Sequence, residues 1–448
     1  MKKKLVFLLS LLMAAGVLFS SLPVSAAAYH IDFNLNSKAV ELVNLDTDTV
    51  IFQKNADQKM EPASITKIMT FIVASEHIKN LDGTKITVKK EVVDQLAGTE
   101  SSLSGIKDGE ELTALQLLNC MMVPSGSDAS MVLADYVGGG NIQKFVDMMN
   151  AKAKELGCKN THFMNPHGLH DPQHYTTADD LYKITKYAMS LPHFTEITSQ
   201  KRYEIPKTNK SAEPRTLVTT NLMIDPYIGG DYYYRYTKGI KTGSHDEAGY
   251  CLVSTAVKNG YSYLCVALGS PKVDSKGNSI KTHGEMIDTK KLYQWAFDNF
   301  QIKSVVDSGA TVGEVKLDYA WNKDKLLLVA EKGYSTILPK DVAATSVIVT
   351  PKLPKSVKAP VKKGDVVGTA TLSYANQNLA TINLVAAESV ERSELLYSMD
   401  VVRSVFTSVW FLVIVAIIVL LLIVYLVLAF LYNRRRRNLR KVKKYRKM

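Results

Sequence analysis

Between residues 65 and 73 apolar side chains fall at Ile65, Ile68, Met69, Ile72 and Val73, the recurrence that marks one buried face of a helix. Pro62 suits a first helical turn, so the spacing predicts a helix that starts near Ser64. On it Ser64 and Lys67 share a face. Residues 38–54 alternate as two strands around a polar turn, helical periodicity dominates from Ser64 to about Ser190, and alternation returns at 249–270. There "YCLVSTAVKNGYSYLCVAL" predicts a hairpin turning at Asn259-Gly260, with Ser254 opposite Cys265 and Cys251 opposite Leu268. Residues 284–300 read as an amphipathic helix that closes a first module. From about Gln301 short Val/Ile/Leu strands alternate with Gly, Pro and Lys-Lys turns, which predicts a small all-β module of about 90 residues.

The two ends carry a different pattern. Lys2-Lys3-Lys4, an apolar run from Leu5 to Leu22 and "VSA" at 24–26 form a signal peptide, cleaved after Ala26. Residues 404–433 are uncharged and mostly Val, Leu and Ile, longer than the roughly 20 residues needed to span a bilayer. The domain plan is therefore a signal peptide at 1–26, a first module at 27–300, an all-β module at 301–390, a linker at 391–403, a transmembrane helix at 404–433 and a basic tail at 434–448. The final sixteen residues hold ten Lys/Arg, against Arg392 and Arg403 in the sixteen residues before the helix. The positive-inside rule puts the tail in the cytoplasm of a single-pass membrane protein and residues 27–403 on the extracytoplasmic face. Charge then changes little else. Of the formal +12, the tail and leader supply all, leaving −1 for the remainder, so the basic balance belongs to topology and implies no nucleic acid. Outside the cell disulfides are permitted, yet none of the four cysteines forms a C-x-x-C, and the predicted hairpin register separates Cys251 from Cys265, so these two read as buried free thiols.

Three short stretches bear on chemistry. Serine is a weak nucleophile unless a base takes its proton, and Lys67 can be that base only if its pKa falls from about 10.4. A second Ser-x-x-Lys, Ser104 to Lys107, sits in a glycine-containing polar stretch and reads as loop. "MMVPSGSDAS" places Ser125-Gly126-Ser127 in a turn between two helical patterns, and "GIKTGSHDEAGYCLVS" places Lys241-Thr242-Gly243 at the start of a strand. Glycine there lets a substrate backbone approach closely. His162, His167, His170 and His174 crowd into thirteen residues, but no H-E-x-x-H or cysteine partner accompanies them. They read as structural, with no metal expected.

In the order Ser-x-x-Lys, Ser-x-x, Lys-Thr-Gly, separated by 61 and 116 residues, these stretches form the signature set of penicillin-interacting serine enzymes. The chain resembles a low-molecular-mass penicillin-binding protein of the D-alanyl-D-alanine carboxypeptidase type. The resemblance covers nearly the whole chain, including "PASITKIMT", "SGSDAS", residues 163–181, "GIKTG" followed by "AGY", the β module and the C-terminal membrane attachment. It implies an α/β fold, an antiparallel sheet with flanking helices plus a helical subdomain, followed by the small all-β domain and the C-terminal transmembrane helix. It further implies that Ser64 attacks the D-Ala-D-Ala bond of peptidoglycan stem peptides and reacts covalently with β-lactams. Lys67 would take the Ser64 proton, its own charge suppressed by the like charge of Lys241. Ser125 would relay a proton to the leaving amine. Lys241 and Thr242 would hold the terminal carboxylate beside Gly243, and the backbone N–H groups of Ser64 and Ser244 would form the oxyanion hole. No cofactor is implied. Ser127 departs from the family pattern, which has asparagine there, and its shorter reach implies a looser hold on substrate. A D,D-endopeptidase or transpeptidase on the same scaffold, a β-lactamase and a catalytically silent wall-binding protein remain open alternatives, although no Glu-x-x-Leu-Asn follows Ser127 as many β-lactamases would require.

Overall fold

The structure, a computed structural model, describes residues 29–274, 276–375 and 377–445, so the expected signal peptide lies outside the described residues. Its central element is an antiparallel sheet built from β1 (Ala39–Asn44), β2 (Thr49–Lys54), β3 (Thr237–His245), β4 (Gly249–Lys258) and β5 (Tyr261–Ser270). The strand order is β2-β1-β5-β4-β3, with Ala39 opposite Leu268 where the N-terminal hairpin joins the C-terminal strands. The chain between β2 and β3 supplies the helices α1 (Lys67–His77), α2 (Ala114–Met122), α3 (Ser127–Gly138), α4 (Ile142–Glu155) and α5 (Ala178–Ala188), and after β5 follows α6 (Gly284–Asn299).

Alternation along the strands decides which layer each side chain meets. On one face Leu252, Ala256, Tyr263, Cys265 and Ala267 pack with Met286, Leu292, Tyr293 and Ala296 of α6. On the other Cys251, Val253, Leu264, Val266 and Leu268 pack with Ile68, Phe71 and Ile72 of α1. That helix is buried from Lys67 to Ala74, and each fully buried Ile or Phe contributes about 1.5–3 kcal/mol. The α2 start carries the reciprocal Thr113–Gln116 cap, which satisfies two otherwise unpaired N–H groups.

The hairpin turns at Asn259 and Gly260 with positive φ at both, as a two-residue turn between right-twisted strands requires. Ser254 stands opposite Cys265 as expected. Cys251 does not stand opposite Leu268, because a register shift between Tyr250 and Leu252 removes it from that ladder. Cys251 and Cys265 also face opposite layers of the sheet, and all four cysteines are free thiols. Lys241-Thr242-Gly243 lies within β3, which already begins at Thr237, and not at the strand start.

The chain divides into two units, and the division is not a single cut. Ser335–Ser346 returns to the first unit, which otherwise ends at Lys303. There Ile337 and Phe300 are buried in the cluster that holds α6, a long-range pairing that local strand texture does not reveal. The second unit contains β6 (Thr311–Asp318), β7 (Lys325–Ala330), β8 (Ile348–Lys352), β9 (Ser356–Lys358), β10 (Val366–Tyr374) and β11 (Gln377–Ala386). They form one sheet in the order β8-β10-β11-β7-β6-β9 over a core that includes Val315, Leu326, Leu328, Ala370 and Leu384.

The expected linker is largely helical, α7 (Glu394–Thr407), and the uncharged run is not one helix from residue 404. Ser408 turns extended, and the second helix, α8, runs Val409–Tyr445. Just before the break the Ser404 and Thr407 hydroxyls donate to the Val401 and Arg403 carbonyls, a local competition that weakens helix continuity. The segment Val409–Arg435 is long and apolar enough to cross a membrane.

The Ser64 region depends on a distant loop. Met60 and Thr176 exchange backbone hydrogen bonds at 2.8 and 2.9 Å, and Thr70 Oγ1 donates to Pro166 O at 2.6 Å. Gly168, at φ +88°, lies so close that a Cβ would stand 1.9 Å from Ala63 O. Gly168→Ala is therefore expected to destabilise the first unit by at least about 2 kcal/mol. Differential scanning calorimetry should show its transition lowered by about 4–8 °C. An unchanged transition would mean that this loop yields easily.

Candidate active site

A 3-10 turn, Ala63–Thr66, starts the segment that the hydrophobic spacing read as helix, and α1 begins at Lys67. Ser64 remains on the same face as Lys67, whose Nζ donates to Ser64 Oγ at 2.8 Å and to the His167 carbonyl at 2.9 Å. Lys67 is completely buried. Across the cavity Lys241 is buried on β3, and its Nζ donates to Ser125 Oγ and to Thr242 O, both at 2.8 Å. Two buried lysines, each hydrogen-bonded to one serine hydroxyl, form the centre of the site.

Close backbone approach brings β3 to the Ser64 turn. A Cβ on Gly243 would stand 2.8 Å from Pro62 O and 3.0 Å from Ser64 N, so a side chain there would push the strand off the Ser64 turn. Ser125 is held in the left-handed region, φ +66°, a conformation that costs a non-glycine residue on the order of 1 kcal/mol. The buried Asp128 carboxylate anchors the turn that follows. It accepts from Ser104 N and Oγ, from Gly105 N and from Ala129 N. The second Ser-x-x-Lys is thus a strap, and Ser104 serves Asp128.

Burial lowers the pKa of both lysines. It holds Lys67 down to about 7, with the negative charge of Asp128 opposing the shift. Lys241 falls well below its ordinary value, first from burial and second from the charge of Lys67. The like-charge effect expected from sequence runs the other way: Lys67 lowers Lys241, while Lys67 itself is lowered by burial, with no contribution from Lys241. Desolvation leads, because an ammonium sealed from water loses its hydration.

The crowded histidines have separate tasks. His174 Nδ1 accepts from Met164 N at 3.1 Å, so its Nε2 carries the proton and faces Thr66 Oγ1 at 2.7 Å, while Thr66 donates onward to Ala63 O. His167 Nδ1 accepts from Leu169 N. Burial pushes both imidazoles down to about 3, hence neutral. His162 pairs with Gln173 O and His170 with Glu61. Among the described residues no group of His, Cys, Asp or Glu is arranged to hold a metal ion.

A cavity of about 130 Å³ opens over these groups, lined by Ser64, Ser125, Thr242, Gly243 and Ser244 among the expected residues. Lys67 and Lys241 stand behind the serines. Ser127, 2 % exposed, does not line the cavity; its N–H donates to Ser102 O at 2.8 Å. The lining also includes Ser102, Thr220, His283, Glu285 and Met286, none of which the sequence singled out. Thr220 Oγ1 lies 2.5 Å from Thr242 Oγ1. Isolated polar residues in loops, and two at the start of a helix that reads as packing, carry no local signal. The tyrosines before β3 do not line the cavity either. Tyr234 is buried between Tyr236 and Tyr293, and Tyr232 accepts from His283 N.

Residues 25–272 match the family described as D-alanyl-D-alanine carboxypeptidase, and residues 300–392 match the C-terminal domain of penicillin-binding protein 5. The chain is 30% identical to D-alanyl-D-alanine carboxypeptidase DacF of Bacillus subtilis over 80% of this chain and 86% of that one. Among solved structures it is similar to penicillin-binding protein 5 of Haemophilus influenzae, with a TM-score of 0.65 and 27% identity over 81% of this chain and all of the other. The Streptomyces K15 DD-transpeptidase gives a TM-score of 0.54 and 30% identity over 60% of this chain and all of the other. With the family matched over more than half its length, the chain belongs to the serine-type D-alanyl-D-alanine carboxypeptidase family.

Proposed function

We propose that the chain removes the terminal D-alanine from peptidoglycan stem peptides through an acyl-enzyme on Ser64, and that β-lactams acylate the same hydroxyl. The observation that carries this reading is the fully buried Lys67 Nζ, 2.8 Å from Ser64 Oγ, with its pKa down to about 7. In its neutral form Lys67 takes the Ser64 proton as Oγ attacks the carbonyl carbon of the penultimate D-alanine. The resulting oxyanion is met by the backbone N–H groups of Ser64 and Ser244. Collapse breaks the C–N bond, and the proton taken up by Lys67 reaches the departing amine through the Ser125 hydroxyl, held by Lys241, which leaves Lys67 neutral and Ser125 protonated again. Water then attacks the Ser64 ester and regenerates the hydroxyl. Thr242, beside Gly243 on the cavity wall, receives the carboxylate of the residue that leaves, with Lys241 behind it.

Anchoring completes the proposal. The apolar segment Val409–Arg435 tethers the enzyme to the cell membrane. The ten Lys/Arg of the last sixteen residues favour a cytoplasmic C-terminus and an extracytoplasmic catalytic unit.

The full chain in detergent, incubated with diacetyl-L-Lys-D-Ala-D-Ala, is expected to release D-alanine. Penicillin treatment followed by peptide mass spectrometry should place the adduct on the peptide containing Ser64. An adduct at Ser125 or Ser104 would overturn the assignment of the nucleophile.

The titration of Lys67 predicts a pH profile. The reactive form is neutral, so its population, and with it kcat/KM, is full above the shifted pKa and lost as pH falls through about 7. Well below that point the loss approaches about tenfold per pH unit. Lys67→Ala should slow acylation by about 10²–10⁴-fold, and Lys67→Arg should not restore it, because guanidinium stays protonated. A profile flat from pH 5 to 8 would assign the proton transfer to another group.

A further inference from the structure

Of the polar groups on the cavity wall, Ser102, Thr220, His283 and Glu285 have no task in the chemistry above. Glu285 lines the cavity together with Ser64, Thr242 and Ser244. It is only 1 % exposed, and its Oε2 has no hydrogen-bond partner among the described residues. The other oxygen, Oε1, accepts from His283 Nδ1 at 3.0 Å. The two lysines of the site are committed elsewhere, Lys67 to Ser64 and the His167 carbonyl, Lys241 to Ser125 and the Thr242 carbonyl. Its place in the first turn of α6 suits a carboxylate, but that does not account for a buried oxygen left unpaired beside a ligand cavity.

The sheet sets where Glu285 stands. Ser244 of β3 is opposite Tyr250 of β4, and Tyr250 is opposite Ser270 of β5. Gly284 abuts that row so closely that a Cβ on it would lie 2.4 Å from Ser270 Oγ. Glu285 therefore belongs to the Ser244 end of the strand, beyond Thr242, on the side assigned above to the residue that departs. An ionised carboxylate only accepts hydrogen bonds, and its strongest complement is a cationic donor.

We propose that Glu285 is a specificity-determining residue that accepts an ammonium carried by the departing residue, so that D-Ala–D-X bonds with a cationic X are cleaved in preference to those with a neutral X. The inference rests on the D,D-peptidase reading and deepens it. The departing residue of such a substrate presents its carboxylate to Thr242 and its cation to Glu285. The same subsite suits amine-bearing stem peptides better than a bare terminal D-alanine.

The test compares kcat/KM of the full chain for diacetyl-L-Lys-D-Ala-D-X with X as D-alanine, D-norleucine or D-lysine. The last two have side chains of similar length and differ in the ammonium. D-Lysine is expected to be favoured over D-norleucine by at least about tenfold, about 1.4 kcal/mol, in the wild type, and by less than about twofold in Glu285→Gln. The β-lactam acylation rate and the melting temperature of the variant report whether it folds. If it does not, the wild-type ratio of D-lysine to Nε-acetyl-D-lysine decides. A wild-type ratio near one, or a tenfold preference that survives Glu285→Gln, overturns the proposal. A wild type that releases no residue from any of the peptides overturns the peptidase reading, and this subsite with it.

Discussion

Among the described residues two lysines are buried, without a carboxylate hydrogen-bonded to either, and much of the catalytic unit follows from that constraint. Sealing an ammonium from water is costly enough that such a group moves toward neutrality instead. Lys67 and Lys241 respond in that way. Each retains two partners, a serine hydroxyl and a backbone carbonyl. A salt bridge in the same place would hold each lysine in its charged form. Asp128 pulls Lys67 back toward the charged form from a distance, while its oxygens are occupied by the backbone of Ser104 and Gly105. The carboxylate nearest in effect is thus spent on the loop.

Holding those lysines requires backbones to come together more closely than side chains allow. The Ser64 turn is clamped by Gly243 on one side and by Gly168 on the other, and a methyl group at either position would meet backbone atoms within 3 Å. The His167 carbonyl that receives Lys67 comes from the same loop as Gly168, and His174 ties that loop to Thr66. The histidine-rich stretch thereby shapes the surroundings of Lys67, His167 by direct contact through its carbonyl and His174 through Thr66. Neutral imidazoles suit this, since each offers one acceptor and one donor at fixed angles.

Family membership accounts for the architecture, and the departures show where this chain differs. Ser127 begins α3 with its N–H held by the Ser102 carbonyl, and it does not line the cavity. The cavity wall is completed by Glu285 and Met286 of α6 and by His283, which caps that helix. That helix is otherwise a packing element, with Leu292, Tyr293 and Ala296 fully buried against the sheet.

The sequence alone determined what depends on local spacing. Ser64 and Lys67 meet because three residues make one helical turn, and the hairpin turns at Asn259-Gly260 because those residues tolerate positive φ. The motif order along the chain also carries the family resemblance. Tertiary structure decided whatever required distant segments to meet. The burial that favours neutral Lys67 is set by tertiary packing, with a carbonyl from a loop a hundred residues away against its Nζ, and Ser335–Ser346 returns to the first unit through Ile337. A one-residue register shift removed Cys251 from its expected partner. Glu285 reads along the chain as an ordinary acidic residue in a first helical turn. Only folding gives it a place in the cavity wall, because an unsatisfied oxygen is a property of its surroundings and not of the residue.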